Sequence, residues 1–145
     1  MCVCTTGSGR GATKWLLHQE GGGWCYNEKE CVERSKTPLG SSTSWPKTAS
    51  FAGLLSPNGT VNPDFYDWNV AYLKYCDGAS FSGDVTNPVH VGSSTIYFRG
   101  KRLLRAALDD LFSRGMKSAT DVILTGCSGK CACTYLYCVL FPCSS

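Results

Sequence analysis

Two short stretches hold residues whose types and spacing could do chemistry. Near the carboxyl end, Asp121-Val122-Ile123-Leu124-Thr125 runs into Gly126-Cys127-Ser128-Gly129. A buried-looking strand that ends in a serine between small residues matches the first half of a nucleophile elbow, G-x-S-x-G. There a sharp turn lifts the hydroxyl above the carboxyl edge of a sheet, and its neighbours must be small because the turn is strained and crowded. Near the amino end, Lys14-Trp15-Leu16-Leu17-His18-Gln19 leads into Glu20-Gly21-Gly22-Gly23-Trp24. Three consecutive glycines abolish helix and strand alike and let backbone N–H groups approach a ligand, as in a loop that donates to an oxyanion hole. Each stretch alone is a commonplace turn. In this order, each directly after a strand, they point to an acyl-transfer hydrolase.

The elements that must position them can be read coarsely. Residues 14–19 form an apolar strand, and Val70–Cys76 a second one, partly β-branched and aromatic and ended by Asp77-Gly78. Residues 34–64, broken by Pro38, Pro46, Pro57 and Pro63, read as a long loop with brief turns, and residues 77–95 are again small and polar. From about Phe98 the period changes. Leu104, Leu108, Leu111 and Phe112 share one face of a helix, Arg102, Arg105, Asp109 and Asp110 the other, and Gly115 closes it. Strand, loop, strand, helix, strand predicts an α/β fold with a mostly parallel sheet. Gly7-Ser8-Gly9-Arg10-Gly11-Ala12 matches the loose dinucleotide pattern G-x-G-x-x-A, but a strand rather than a helix is expected next, so nucleotide binding is set aside.

Composition narrows the setting. The chain has 145 residues, about one domain's worth, with 43% hydrophobic and 17% charged residues, which favours a core over disorder. No run of eighteen apolar residues occurs, so no membrane-spanning helix is expected. A net charge of +3 without a dense basic block gives no reason to expect a nucleic-acid partner. Ten cysteines favour an oxidising, secreted context, and the sequon Asn58-Gly59-Thr60 points the same way. The opening residues nevertheless show no basic and apolar signal-peptide regions, which hints at a missing beginning.

Several separate motifs carry a family resemblance. Trp15 through Cys25 (WLLHQEGGGWC), Asn62-Pro63-Asp64-Phe65 with Trp68-Asn69, Tyr75 through Asp84 (YCDGASFSGD) and Phe98-Arg99-Gly100 resemble the plant pectin acetylesterases, secreted α/β-hydrolase-like carboxylesterases related to the Notum enzymes. The resemblance covers roughly residues 7–128. It implies a Ser–Asp–His triad, without cofactor or metal, that removes acetyl groups from pectic galacturonan in the plant cell wall. It implies Ser128 as nucleophile, and the backbone N–H groups of Gly23, Trp24 and Gly129 as oxyanion donors. It also implies a local disulfide between Cys25 and Cys31, which leaves Cys76 to find a partner elsewhere, with the N-terminal region as the candidate.

The sequence departs from the family after the serine. Where the family continues Gly-Cys-Ser-Ala-Gly-Gly, this chain reads Gly126-Cys127-Ser128-Gly129-Lys130-Cys131. None of the residues 129–145 is Asp, Glu or His, whereas the triad partners in such hydrolases follow the serine in chain order. His18, within the first strand, and His90, in a polar loop, both precede Ser128 and read as packed and exposed histidines rather than bases. The expectation is a truncated α/β-hydrolase-like domain at residues 7–128, negligible esterase activity, and a Cys-rich tail at 129–145. Gly129-Lys130-Cys131 is encodable as GGT-AAG-TGT, which contains a common plant intron start, so the tail is expected to be translated intron. Two rival readings remain open. The tail cysteines Cys127, Cys131, Cys133, Cys138 and Cys143 could bind metal or form disulfides, although they include no C-x-x-C pair. A remnant could also hold pectin without cleaving it, through Trp24, Trp45 and Trp68.

Overall fold

The computed structural model describes residues 2–46 and 48–128. The order of elements is β1 (Cys2–Thr5), β2 (Lys14–Gln19), α1 (Glu28–Ser35), β3 (Asn69–Leu73), β4 (Val89–Val91), β5 (Ser94–Ile96), α2 (Gly100–Ser113) and β6 (Asp121–Gly126). Four strands make one sheet in the order β1-β3-β2-β6, and β4 with β5 makes a small hairpin. Strands β2, β3 and β6 run parallel, while β1 pairs antiparallel with β3. The expected α/β fold with a mostly parallel sheet is present.

Central position explains the composition of β2. Residues Trp15 to Gln19 are all buried, because neighbouring strands flank the chain and other segments cover both of its faces. One face packs Trp15, Leu17, Ala71 and Leu73 against Tyr75, Phe81 and the α2 residues Leu104, Ala107 and Leu111. The 3.6-residue period places α2 as expected, although Phe112 turns to solvent and Ala107 takes its place in the core. Gly115, with φ +109°, follows the helix in the left-handed region that a glycine adopts at little cost.

Several features differ from the expectation. Strand β1 falls in a stretch given no element, and β6, expected to be buried, lies at the end of the described sheet, flanked only by β2, with Asp121 and Val122 exposed. The second strand ends at Leu73, where the Leu73 carbonyl accepts from Glu20 N–H at 2.9 Å as the two chains leave the ladder, so Tyr75 and Cys76 lie beyond it. Helix α1 falls in a stretch given no element. Its start is nevertheless written as Asn27-x-x-Glu30: Asn27 Oδ1 accepts from Glu30 N–H at 2.9 Å, and the Glu30 carboxylate accepts from Tyr26 N–H at 3.0 Å. His90, expected in a loop, sits on β4. Asn69 joins the segments around β2: its Oδ1 accepts from Gly7 N–H, and its Nδ2 donates to the Ala12 and Lys14 carbonyls, each at 2.9 Å.

Candidate active site

The two chemical stretches leave the same edge of the sheet. Strand β6 pairs in parallel with β2, with Gly126 opposite Gln19, so the turn after one lies beside the loop after the other. Ser128 is exposed and has φ +57°, a left-handed conformation costly for a residue with a side chain. A strained serine in a turn directly after a parallel strand is the geometry an elbow requires. Gly21 packs against Cys127 so closely that a Cβ there would lie 3.2 Å from the Cys127 carbonyl oxygen.

The glycine loop is held from behind. Gly22 and Gly23 adopt φ +138° and +66°, which side-chain-bearing residues resist. Arg34 Nη1 donates to the Gly22 carbonyl at 2.8 Å, Arg34 Nη2 donates to Tyr75 Oη at 2.6 Å, and Tyr75 Oη donates to the Gly23 carbonyl at 2.5 Å. Burial pushes the Tyr75 phenol up, against the pull of the Arg34 guanidinium, so the hydroxyl stays a donor through the neutral range. Among the described residues, the backbone N–H groups of Gly23 and Trp24 have no hydrogen-bond partner. The Trp24 ring is half-exposed, and its Nε1 donates to Ser80 Oγ.

The next residues anchor the loop to its surroundings. Cys25 and Cys31 form the expected disulfide, and Cys25 N–H donates to the Gly78 carbonyl at 3.0 Å. Buried Asp77 gathers the following turn: Oδ1 accepts from the Ala79 and Phe81 N–H groups at 3.2 Å, and Oδ2 accepts from Gly83 N–H at 3.3 Å. These bonds hold Ser80 and Phe81 at positive φ. A Cβ on Gly100, the first residue of α2, would overlap the Asp77 carboxylate.

No hydrogen bond joins either histidine to Ser128. His18 is buried, with Nδ1 2.8 Å from Thr125 Oγ1 and Nε2 3.7 Å from Cys127 Sγ, and its ring stacks on Tyr72. Burial lowers its pKa, favouring the neutral ring. His90 is exposed on the hairpin, 3.1 Å from Thr95 Oγ1. Cys76 has no N-terminal partner: it is a free thiol, half-buried, pushed up first by burial and then by Asp77. It helps line a cavity of about 400 Å³ with Arg34, Asp77 and Arg99, and neither Ser128 nor Trp24 borders that cavity. Asn58 is exposed, with Oδ1 accepting from Thr60 N–H at 2.9 Å. Trp45 and Trp68 are half-buried, each beneath a lysine. Gly129 and the tail cysteines from Cys131 on lie outside the described residues. Among the described residues, no group of three or more metal-ligating side chains is gathered, and no helix is long and apolar enough to cross a membrane.

Sequence reasoning passed over Arg34, Tyr75 and Asp77 as functional residues. Tyr75 and Asp77 lie inside a quoted motif, which was a signal. Arg34 had none, because its role appears only once α1 is folded against the glycine loop.

A mostly parallel sheet that delivers a strained serine and a glycine-rich loop to one edge defines a partial α/β-hydrolase-like protein. The family model for pectinacetylesterase matches residues 4–142, and the chain belongs to that family. It is 44% identical over 137 residues to pectin acetylesterase 11 of Arabidopsis thaliana, covering 93% of this chain and 34% of that protein. Identity to pectin acetylesterase 7 of the same plant is also 44%, with the same coverage. The human palmitoleoyl-protein carboxylesterase NOTUM is 31% identical over 121 residues, 82% of this chain and 24% of that protein. The chain thus spans about a third of the length of the plant relatives it matches.

Proposed function

We propose that this chain carries the attacking and anion-stabilising half of a carboxylesterase that removes acetyl groups from pectin outside the plant cell. The observation that supports this most is the placing, at one sheet edge, of strained, exposed Ser128 and of the Gly23 and Trp24 N–H groups, which have no partner among the described residues. In the reaction Ser128 Oγ attacks the acetyl carbonyl, and the carbonyl oxygen becomes an anion received by the N–H groups of Gly23, Trp24 and Gly129. Collapse expels the sugar hydroxyl and leaves an acetyl-serine, which water then hydrolyses to acetate. Removing one such donor from an oxyanion hole slows catalysis about 100- to 1000-fold.

The reaction also needs a base for the serine proton. His18 is committed to Thr125 and Cys127, and His90 sits on the hairpin, so neither serves Ser128. The 145-residue polypeptide alone is therefore expected to turn over negligibly, with the triad Asp and His supplied when these residues stand in a chain of the relatives' full length. Acetate release from acetylated pectin tests both halves. The extended polypeptide should release acetate and its Ser128→Ala variant should not, while the 145-mer stays near background. Turnover by the 145-mer that survives Ser128→Ala would refute the assignment. The division at residue 129 has its own check, since a spliced transcript that still encodes residues 129–145 would exclude a translated intron.

A further inference from the structure

We infer that Tyr75 and Arg34 are positioning residues of the oxyanion hole, which fix the direction of the two donor N–H groups by gripping the opposite ends of the same peptide units. This rests on the reading of Gly23 and Trp24 as donors. In a trans peptide the C=O and the N–H that follows it point in opposite directions, and no described peptide bond is cis. The Gly22 carbonyl belongs to the peptide whose N–H is that of Gly23, and the Gly23 carbonyl to the peptide whose N–H is that of Trp24. Arg34 grips the first carbonyl at 2.8 Å and Tyr75 the second at 2.5 Å. With both oxygens drawn toward α1 and the segment after β3, both N–H groups must face the other way.

The grip is needed because of the loop's own sequence. Glycine crosses between backbone conformations at little cost, so either peptide could flip and present its carbonyl, a repulsive dipole, to the developing anion. The two gripping groups are themselves joined, Arg34 Nη2 to Tyr75 Oη at 2.6 Å, and the guanidinium carbon lies 5.3 Å from the phenol ring centroid. A charge-assisted donor on one carbonyl therefore also orients the donor on the other. Tyr75 is fully buried and packs on Phe81, 5.6 Å between ring centroids, so the phenol oxygen has little freedom to drift.

The test uses the polypeptide at its relatives' full length, 4-nitrophenyl acetate as substrate, and a small alkyl boronic acid whose tetrahedral serine adduct places an oxygen in the hole. Tyr75→Phe keeps the ring and removes only the gripping hydroxyl. It should lower kcat about 10- to 100-fold, leave KM within about twofold, and weaken boronic acid binding in parallel with kcat. Arg34→Gln, which loses the guanidinium fork and its link to Tyr75, should do the same, with Arg34→Lys recovering part of the loss. Folded variants with kcat near the parent, beside an inactive Ser128→Ala, would overturn the positioning role and leave the esterase reading intact. A raised KM at unchanged kcat would overturn it as well. Full activity of Ser128→Ala would instead overturn the esterase reading on which the inference stands.

Discussion

Gly21 and Cys127 touch across the gap between the glycine loop and the serine turn: a Cβ on Gly21 would stand 3.2 Å from the Cys127 carbonyl oxygen and 3.3 Å from its Cβ. The contact joins the first residue after Glu20 to the residue before Ser128, so the two halves of the site share one van der Waals surface.

Gly21→Val should therefore wedge the two segments apart. Overpacking at such a contact costs about 1–3 kcal/mol, and the denaturation midpoint should fall accordingly. An unchanged midpoint would mean that the contact yields freely.

Gln19, opposite Gly126 at the end of β2, is fully buried, and among the described residues neither its Oε1 nor its Nε2 has a hydrogen-bond partner. Burying an unpaired amide costs about 1–3 kcal/mol. Gln19→Leu should raise stability by about 1–2 kcal/mol, as read from urea unfolding. A loss of stability would show that the amide contributes more than the added apolar contact.

His18 gives a pH dependence with a defined sign. An unfolded histidine titrates near pH 6.5, and burial holds the folded one lower. The unfolded state therefore binds more proton between these two values. Stability from this group is full above about pH 6.5 and declines as the pH falls below it. Unfolding midpoints at pH 7.5 and 5.5 should separate more in the parent than in His18→Gln. Equal separations would deny His18 the effect.

The two free thiols among the described residues should react at different rates. Cys127 is exposed, whereas Cys76 is half-buried with its thiol pushed up by burial. With iodoacetamide at pH 7.5, peptide mapping should find Cys127 modified at least about tenfold faster. Comparable rates would contradict the burial of Cys76.

The fold was legible where hydrophobic period carried it. Lys14–Gln19 and Asp121–Gly126 read as strands because their apolar runs are short and bounded by breakers, and α2 because Leu104 and Leu111 repeat at helical spacing. Strand β1 was not legible, because Cys2–Thr5 carries no alternation and gains its strand from pairing with β3. Helix α1 was missed for a different reason: its eight residues bury only Val32, so its signal lay in the Asn27 cap rather than in a stripe. The site divided in the same way. Ser128 and the glycines announce themselves by type, whereas Arg34 and Tyr75 meet across 41 residues of sequence and acquire their roles only by contact.

Strands β2 and β6 run side by side, with Gln19 and Gly126 as the last facing pair. Adjacent strands keep a near-constant spacing of about 4.8 Å, so the gap between the Ser128 turn and the glycine loop is inherited from main-chain pairing. Divergence of the long, polar connections can then remake what the surface grips while the spacing of these two turns is kept.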